Sequence, residues 1–301
     1  MSLKNITIVG ASGNLGKGIL PHLLAASSLN ITLLARSTSS AQFPAGAKVI
    51  RSEFSLASLT EVLKGQDAVI SLMPIPAAGE QVTVIEAAIA AGVKRFIPSE
   101  FGSDNSNPAI VAAVPFFETK QKSLEFLKSK QDAITWTAVI TGPFFDWGLF
   151  EGMIGFNLST KTASLIDGGT SRFSATTIAQ IARSLIAILA HADATANQTV
   201  FIESFTTSQL EVLAALEKAT GEKWNRGPEV KGEDVRAAGL KAMGEGDILG
   251  GGIKVITAAV LGKEALEDHE AAVWNEKLGL ERDNLEVEVG KVLAFAASLT
   301  G

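Results

Sequence analysis

The sequence has no cysteine, no tyrosine and only three histidines among its 301 residues. Without cysteine, disulfide bonds and thiolate chemistry are excluded. Without tyrosine, no phenol side chain is available as a catalytic acid or base. The histidines, which are His22, His191 and His269, have no partners at the spacing of a metal site or a catalytic triad. We therefore expect no metal centre.

Clusters of basic residues and long apolar runs are also missing. The net charge is -6, which argues against nucleic acid or an anionic membrane as the main partner. No uninterrupted apolar run is long enough to span a bilayer, and the first predicted strand begins too early to leave room for a signal peptide. These features predict a cytoplasmic protein whose partner is a small molecule.

A buried strand at 6–9 runs directly into a glycine-rich turn that opens a helix. The three glycines of the turn are separated by two residues each, a spacing typical of short-chain dehydrogenases. Glycine lets the backbone approach a ligand closely, and the N–H groups at the start of a helix bind anions. A second strand at 30–35 completes a βαβ unit, so the turn predicts a dinucleotide-binding site. The residues of this site are Gly10, Ala11, Ser12, Gly13, Asn14, Leu15 and Gly16.

Arg36 follows the second strand, where NAD-binding folds usually carry an acidic residue. No acidic residue occurs before Glu53. Because a guanidinium can pair with a phosphate through two hydrogen bonds, Arg36 predicts that the cofactor is NADP(H). Lys17 and Ser37 are weaker candidates for the same phosphate, and Lys48 and Arg51 are expected around the adenosine end.

Strand and helix signals alternate along the first two fifths of the chain. This alternation predicts an α/β fold, a Rossmann-type doubly wound parallel sheet with a smaller C-terminal α+β lobe. Residues 1–145 are expected to form the cofactor domain, to which residues 175–205 return, and residues 146–301 the substrate-binding lobe. Met73 and Pro74 end the fourth strand at the edge where the cofactor should pass. The glycine triplet 250–252 predicts a flexible loop.

The segment Pro98-Ser99-Glu100-Phe101-Gly102 follows the fifth predicted strand, and a helix containing Lys120 comes after a polar linker. With the glycine turn and Arg36, this order of motifs resembles the isoflavone reductase-like, NmrA-like family of atypical short-chain dehydrogenases, which includes phenylcoumaran benzylic ether reductases. The resemblance covers most of the chain and is strongest from 6 to 145. It departs from the family after the third strand, where 53–55 replace a common aspartate.

The resemblance implies that Lys120 lies near the nicotinamide and acts as general acid or base. In the alternative division of roles, a bound water donates the proton and Lys120 only polarises the substrate. Lys122, two residues further along the helix, should point away. The missing tyrosine excludes the Tyr-x-x-x-Lys pair of typical short-chain dehydrogenases. Ser99 and Phe101 are expected near the nicotinamide, although Ser99 has an equal alternative role in capping the turn after its strand.

Aromatic residues at Phe144, Phe145 and Trp147 are candidates for substrate contact. The sequence thus predicts an NADPH-dependent reductase of a small aromatic or conjugated carbonyl or phenolic compound. Two alternatives are a non-catalytic regulator that senses NADP and binds a protein partner, and a quinone reductase of the same fold. A lysine at position 120 with aromatic neighbours favours an enzyme, because a sensor needs neither.

Overall fold

The structure, a computed structural model, describes residues 3–264 and 266–299, without the side chains of residues 76 and 78. The strands are β1 Asn5–Val9, β2 Asn30–Arg36, β3 Lys48–Ser52, β4 Ala68–Ser71, β5 Arg95–Ile97, β6 Thr135–Ile140, β7 Phe156–Asn157, β8 Thr162–Ala163, β9 Arg172–Ala175, β10 Gln198–Phe201, β11 Phe205–Ser208 and β12 Asn225–Arg226. The helices are α1 Asn14–Ala25, α2 Leu56–Leu63, α3 Gln81–Ala90, α4 Pro108–Ala113, α5 Glu118–Ser129, α6 Phe145–Phe150, α7 Ile178–Ala190, α8 Gln209–Thr220, α9 Gly232–Gly244, α10 Ile248–Leu261 and α11 Leu285–Ser298.

Seven parallel strands form the central sheet in the order β3-β2-β1-β4-β5-β6-β10. Strands β1 and β4 are almost completely buried, as expected for parallel strands covered on both faces. The chain order reverses between β1 and β4, which opens a crevice at the carboxyl edge of the sheet. The predicted Rossmann-type fold is confirmed.

Helices cover both faces of this sheet. One core contains apolar residues of α1 and α7 packed against β1, including Ile19, Leu185 and Ile8. The other contains apolar residues of α2, α3 and α5 packed against β1 and β4. Strand β10 pairs with β6, and Leu278 from late in the chain also packs into the first core. Residues far beyond 145 therefore contribute to the sheet and its packing.

A smaller lobe contains the antiparallel pair β9 and β11 and the three-stranded sheet β12-β8-β7. Helices α9 and α10 form a hairpin beside it. The loop expected at 250–252 is wrong, because these glycines lie in α10. Asp247 caps that helix by accepting a hydrogen bond from the Gly250 N–H, and a Cβ at Gly251 would lie 2.6 Å from the Gly239 oxygen. The glycine at 251 serves the close approach of α9 and α10.

Within the described part of the chain, no helix combines the length and the apolar character needed to cross a membrane.

Candidate active site

The glycine turn has the shape of an anion cradle. Gly10 has a φ of +84°, and a Cβ there would lie 2.6 Å from the carbonyl oxygen of Leu72. Ser12, Gly13 and Asn14 are exposed at the tip of the turn. Helix α1 has neither a side-chain cap nor an acidic residue in its first turn, which leaves its N-terminal N–H groups available to an anion. The residues present therefore fit the pyrophosphate of a dinucleotide.

The remaining residues of the turn support it from behind. Ala11 is buried in the core between the sheet and α1, and Leu15 packs against the same core. A Cβ at Gly16 would lie 2.6 Å from the backbone of Ala11. The side chains of Ala11 and Leu15 fix the turn against the sheet, and the missing side chain of Gly16 lets α1 pack closely on Ala11.

Arg36 is the last residue of β2 and lies at the carboxyl edge of the sheet. Its guanidinium is paired with the carboxylate of Glu80, and its Cζ lies 4.5 Å from the centre of the Phe54 ring. Ser37 is exposed beside it. The sequence has no acidic residue close to Arg36, but the segment before α3 brings Glu80 to Arg36 from 44 positions away.

The other basic residues expected at this end differ in their placement. Lys48 starts β3 opposite Thr32, at the far end of the strand pair from Arg36, so its expected position is wrong. Arg51 lies near the correct edge, but its guanidinium donates to the backbone oxygens of Ser39 and Ala41. Lys17 is exposed near the start of α1.

Lys120 lies in the first turn of α5 and is only 8% exposed. Its Nζ donates a hydrogen bond to the backbone oxygen of Glu100 at 2.8 Å. Burial lowers the pKa of Lys120, against the opposing influence of the Glu100 carboxyl group. Lys122 is exposed and pairs with Glu118 at 2.8 Å. The two lysines therefore lie on different faces of α5, and only Lys120 reaches the interior.

A cavity of about 300 Å³ opens beside Lys120 at the carboxyl edge of the sheet. Phe101, Phe144 and Trp147 line it together with Phe117. The rings of Phe144 and Trp147 are 6.3 Å apart. Helix α10 closes the opposite side with a row of apolar residues, and Thr257 adds a hydroxyl. The residues from α10 that line the cavity are Leu249, Ile253, Ile256, Thr257, Val260 and Leu261.

Phe145 does not line this cavity, so its expected substrate contact is wrong. It is fully buried and packs edge-to-face on Phe205, with ring centres 4.8 Å apart. Phe145 opens α6, and its side chain enters the core of the smaller lobe while Phe144 faces the cavity.

Met73, Pro74 and Ser99 lie where β4 and β5 end. The Ser99 hydroxyl donates to the Met73 oxygen at 2.7 Å, and Gln81 accepts from the Ser99 N–H at 2.9 Å. Met73 is buried in a core cluster, whereas Pro74 is exposed. The Ser99 hydroxyl therefore ties two loops together at the carboxyl edge, which favours the capping role over a direct ligand contact.

Three features of the site were missed from the sequence. Glu100 and Asn105 both line the cavity and are almost completely buried, and α10 supplies one of its walls. The Glu-Phe-Gly segment could have drawn attention to Glu100. Asn105 lies in a polar linker without a recognisable motif. Helix α10 was missed because the glycines at 250–252 were interpreted as a loop. No group of three or more acidic or histidine side chains within residues 3–264 and 266–299 is placed to hold a metal ion.

The NmrA-like family model matches residues 2–231. The oxidoreductase aprR of Aspergillus flavus is 37% identical over 254 residues, which cover 83% of this chain and 84% of the relative. A solved complex with NADP+ and (+)-pinoresinol superposes with a TM-score of 0.79 at 19% identity, covering 97% of this chain and 99% of the other. An NADPH complex of leucoanthocyanidin reductase from Vitis vinifera has the same TM-score and identity, covering 96% and 99%. At this identity the two solved structures show a shared fold.

Proposed function

Because this chain belongs to the NmrA-like family, we propose that it is an NADPH-dependent reductase of a small aromatic or conjugated carbonyl or phenolic compound. The predicted family and the oxidoreductase class are confirmed. The observation that carries the proposal is the buried amine of Lys120 beside an apolar, aromatic cavity at the carboxyl edge of the sheet. The cradle at Gly10–Gly16 and the guanidinium of Arg36 supply the two anion sites that NADPH requires.

When bound, NADPH supplies a hydride, which carries both electrons of the reduction to a substrate carbon. The matching proton comes from the ammonium group of Lys120 and goes to the substrate oxygen. This transfer leaves a neutral amine at Lys120, which regains its proton from solvent. Because burial lowers the pKa of Lys120, the ammonium can release its proton more readily near neutral pH than an exposed lysine can.

The walls of the cavity support the substrate class. Phe101, Phe144 and Trp147 offer ring faces and edges to a planar apolar molecule. A volume of about 300 Å³ lies at the small end of the range for ligand sites. The polar side chains that line the cavity include Thr257 and Lys120, and either can orient an oxygen of the substrate.

Lys122 provides a matched control, because it lies two residues from Lys120 and its side chain is 69% exposed. We expect Lys120→Ala to lower kcat by about 10²- to 10⁴-fold, the usual contribution of a general acid, while NADPH binding is retained. Lys122→Ala should behave as the unchanged protein does. Turnover is measured as loss of NADPH fluorescence against a panel of enones, quinones and phenolic ethers.

The same panel separates the alternatives. An unchanged kcat in Lys120→Ala would contradict the assigned role of this lysine. Turnover confined to quinones would identify a quinone reductase. Tight NADPH binding without turnover of any compound would favour the regulator, and the search would then move to a protein partner.

A further inference from the structure

Two buried oxygen atoms beside Lys120 lack a hydrogen-bond donor. Glu100 is 0% exposed and Asn105 is 1% exposed. The Asn105 Nδ2 donates to the Glu100 Oε2 at 2.6 Å. In the described part of the chain, the second oxygen of each residue, Glu100 Oε1 and Asn105 Oδ1, is buried without a partner. A buried polar atom that is left unpaired destabilises the fold, because it has lost its hydrogen bonds to water and gained none in return.

A single proton on the Glu100 carboxyl group would give both unpaired oxygen atoms a hydrogen bond. An ionised carboxylate and the oxygen of an amide can only accept hydrogen bonds. A carboxylic acid protonated on Oε1 becomes a donor, and the Asn105 Oδ1 is then the matching acceptor. With the existing bond from Nδ2 to Oε2, the two groups close a ring of two hydrogen bonds. This pairing leaves neither buried oxygen unsatisfied.

We propose that Glu100 is a neutral carboxylic acid whose Oε1–H donates to the Asn105 Oδ1, and that it is a positioning residue that holds the Lys120 amine through its backbone oxygen without giving it a counter-charge. The proposal rests on the assigned role of Lys120 only for its catalytic consequence. The protonation state of Glu100 itself is independent of any substrate.

The contacts of Lys120 agree with a neutral neighbour. Its Nζ donates to the backbone oxygen of Glu100 at 2.8 Å, and the carboxyl group of Glu100 is already engaged with Asn105. The charged groups that act on Glu100 are Lys120, Asp104 and Lys128. Burial raises the pKa of Glu100 despite the opposing effects of Lys120, Asn105 and Lys128. Both buried groups are therefore shifted toward their uncharged forms.

Infrared difference spectroscopy at neutral pH tests the protonation state directly. The spectrum of the unchanged protein minus that of Glu100→Gln should contain the C=O band of a protonated carboxylic acid, which moves in D₂O. The absence of that band, with the lower-frequency stretches of a carboxylate in the difference spectrum instead, would overturn the proposal. Should Glu100→Gln fail to fold, Asn105→Ala serves instead. The acid band must then move to higher frequency, because the Oε2 carbonyl loses the hydrogen bond that it accepts from the Asn105 Nδ2 and the Oε1–H loses its acceptor. A spectrum without that movement would contradict the pairing.

The pH profile of turnover tests the effect on Lys120. Glutamine offers the same donor and acceptor as the neutral acid. In Glu100→Gln, the midpoint of the part of the pH profile that reports the titration of Lys120 should therefore stay close to that of the unchanged protein, whatever the level of turnover. Removing an ionised carboxylate would instead move it to lower pH by about 1–3 units. Asn105→Asp adds a negative charge beside Lys120 and should move the midpoint to higher pH. A failed activity screen leaves the infrared result intact, so the two proposals fail separately.

Discussion

We expect the ion pair of Arg36 and Glu80 to compete with the 2′-phosphate of NADPH for the guanidinium of Arg36, and the preference for NADPH over NADH to measure this competition. The side chains of Arg36 and Glu80 are 43% and 52% exposed, and an ion pair with this exposure contributes about 0–1 kcal/mol. A charge-assisted contact from the same guanidinium to a 2′-phosphate contributes about 1.5–3 kcal/mol. The phosphate should therefore displace Glu80 and take the guanidinium.

We expect Arg36→Ala to weaken NADPH binding by about 10- to 100-fold, the equivalent of that contact, and to leave NADH binding nearly unchanged. Glu80→Gln removes the competitor and should tighten NADPH binding by up to about fivefold, the equivalent of the ion pair. Lys48→Ala is the control, because Lys48 lies at the far end of β3 from this edge and should alter neither affinity.

Both affinities are measured by fluorescence titration at one fixed salt concentration, since screening weakens exposed charge pairs. Equal dissociation constants for the two cofactors in the unchanged protein would refute the assignment of Arg36. Weaker NADPH binding in Glu80→Gln would show that the carboxylate supports the cofactor, for example by accepting a hydrogen bond from a ribose hydroxyl, and does not compete with it.

Two further predictions concern stability. Gly142→Ala should lower the free energy of unfolding by about 2–5 kcal/mol in a denaturant titration, because its φ is +57° and the new Cβ would lie 2.0 Å from the Ser174 oxygen. Gly65 has a φ of +75° but open space around it, so Gly65→Ala should lower the free energy of unfolding only by the left-handed backbone cost of about 1–2 kcal/mol. Equal losses in the two variants would contradict the clash at Gly142. For Asp67, burial raises the pKa, but hydrogen bonds from the Asn5 N–H, Lys94 and the Lys4 N–H outweigh it and the pKa is lowered. The ionised Asp67 therefore stabilises the fold above about pH 4, and this stabilisation is lost as the pH falls further. Asp67→Asn should unfold more easily than the unchanged protein at neutral pH and match it in strong acid. A difference in stability that persists in strong acid would refute the role of the ionised carboxylate.

The elements that could be predicted from the sequence are those whose signal is local. The glycine turn and the strands around it each depend on residues within a few positions of one another, whereas Lys120 was singled out by the resemblance to a known family. The pairing of Arg36 with Glu80 joins residues 44 positions apart. No local pattern predicts which acidic residue the segment before α3 will place beside Arg36. The absence of acidic residues close to Arg36 in the sequence therefore does not predict which charges surround its side chain in the fold.

Short elements give too little periodicity to assign faces. Helix α6 has six residues, fewer than two turns, so the adjacent rings of Phe144 and Phe145 could not be separated into cavity and core. The triplet at 250–252 failed for another reason. Glycine lowers helix propensity by about 1 kcal/mol relative to alanine, but the cap at Asp247 and the packing of Gly251 on Gly239 stabilise α10 in the fold.

The residues of segment 98–102, which supported the family resemblance, each make a distinct contact in the structure. The Ser99 hydroxyl fastens it to the end of β4 at Met73, and the Glu100 oxygen holds the Lys120 amine. Phe101 lines the cavity with a φ of +26°, a conformation that a bulky residue rarely adopts. The Gly102 oxygen accepts hydrogen bonds from the N–H groups of Thr141 and Gly142. Because both ends are fastened, the strained residue between them is held in place. The segment thus fixes the amine relative to the crevice at the carboxyl edge of the sheet, and the proton donor that we propose at Lys120 would need such a fixed position.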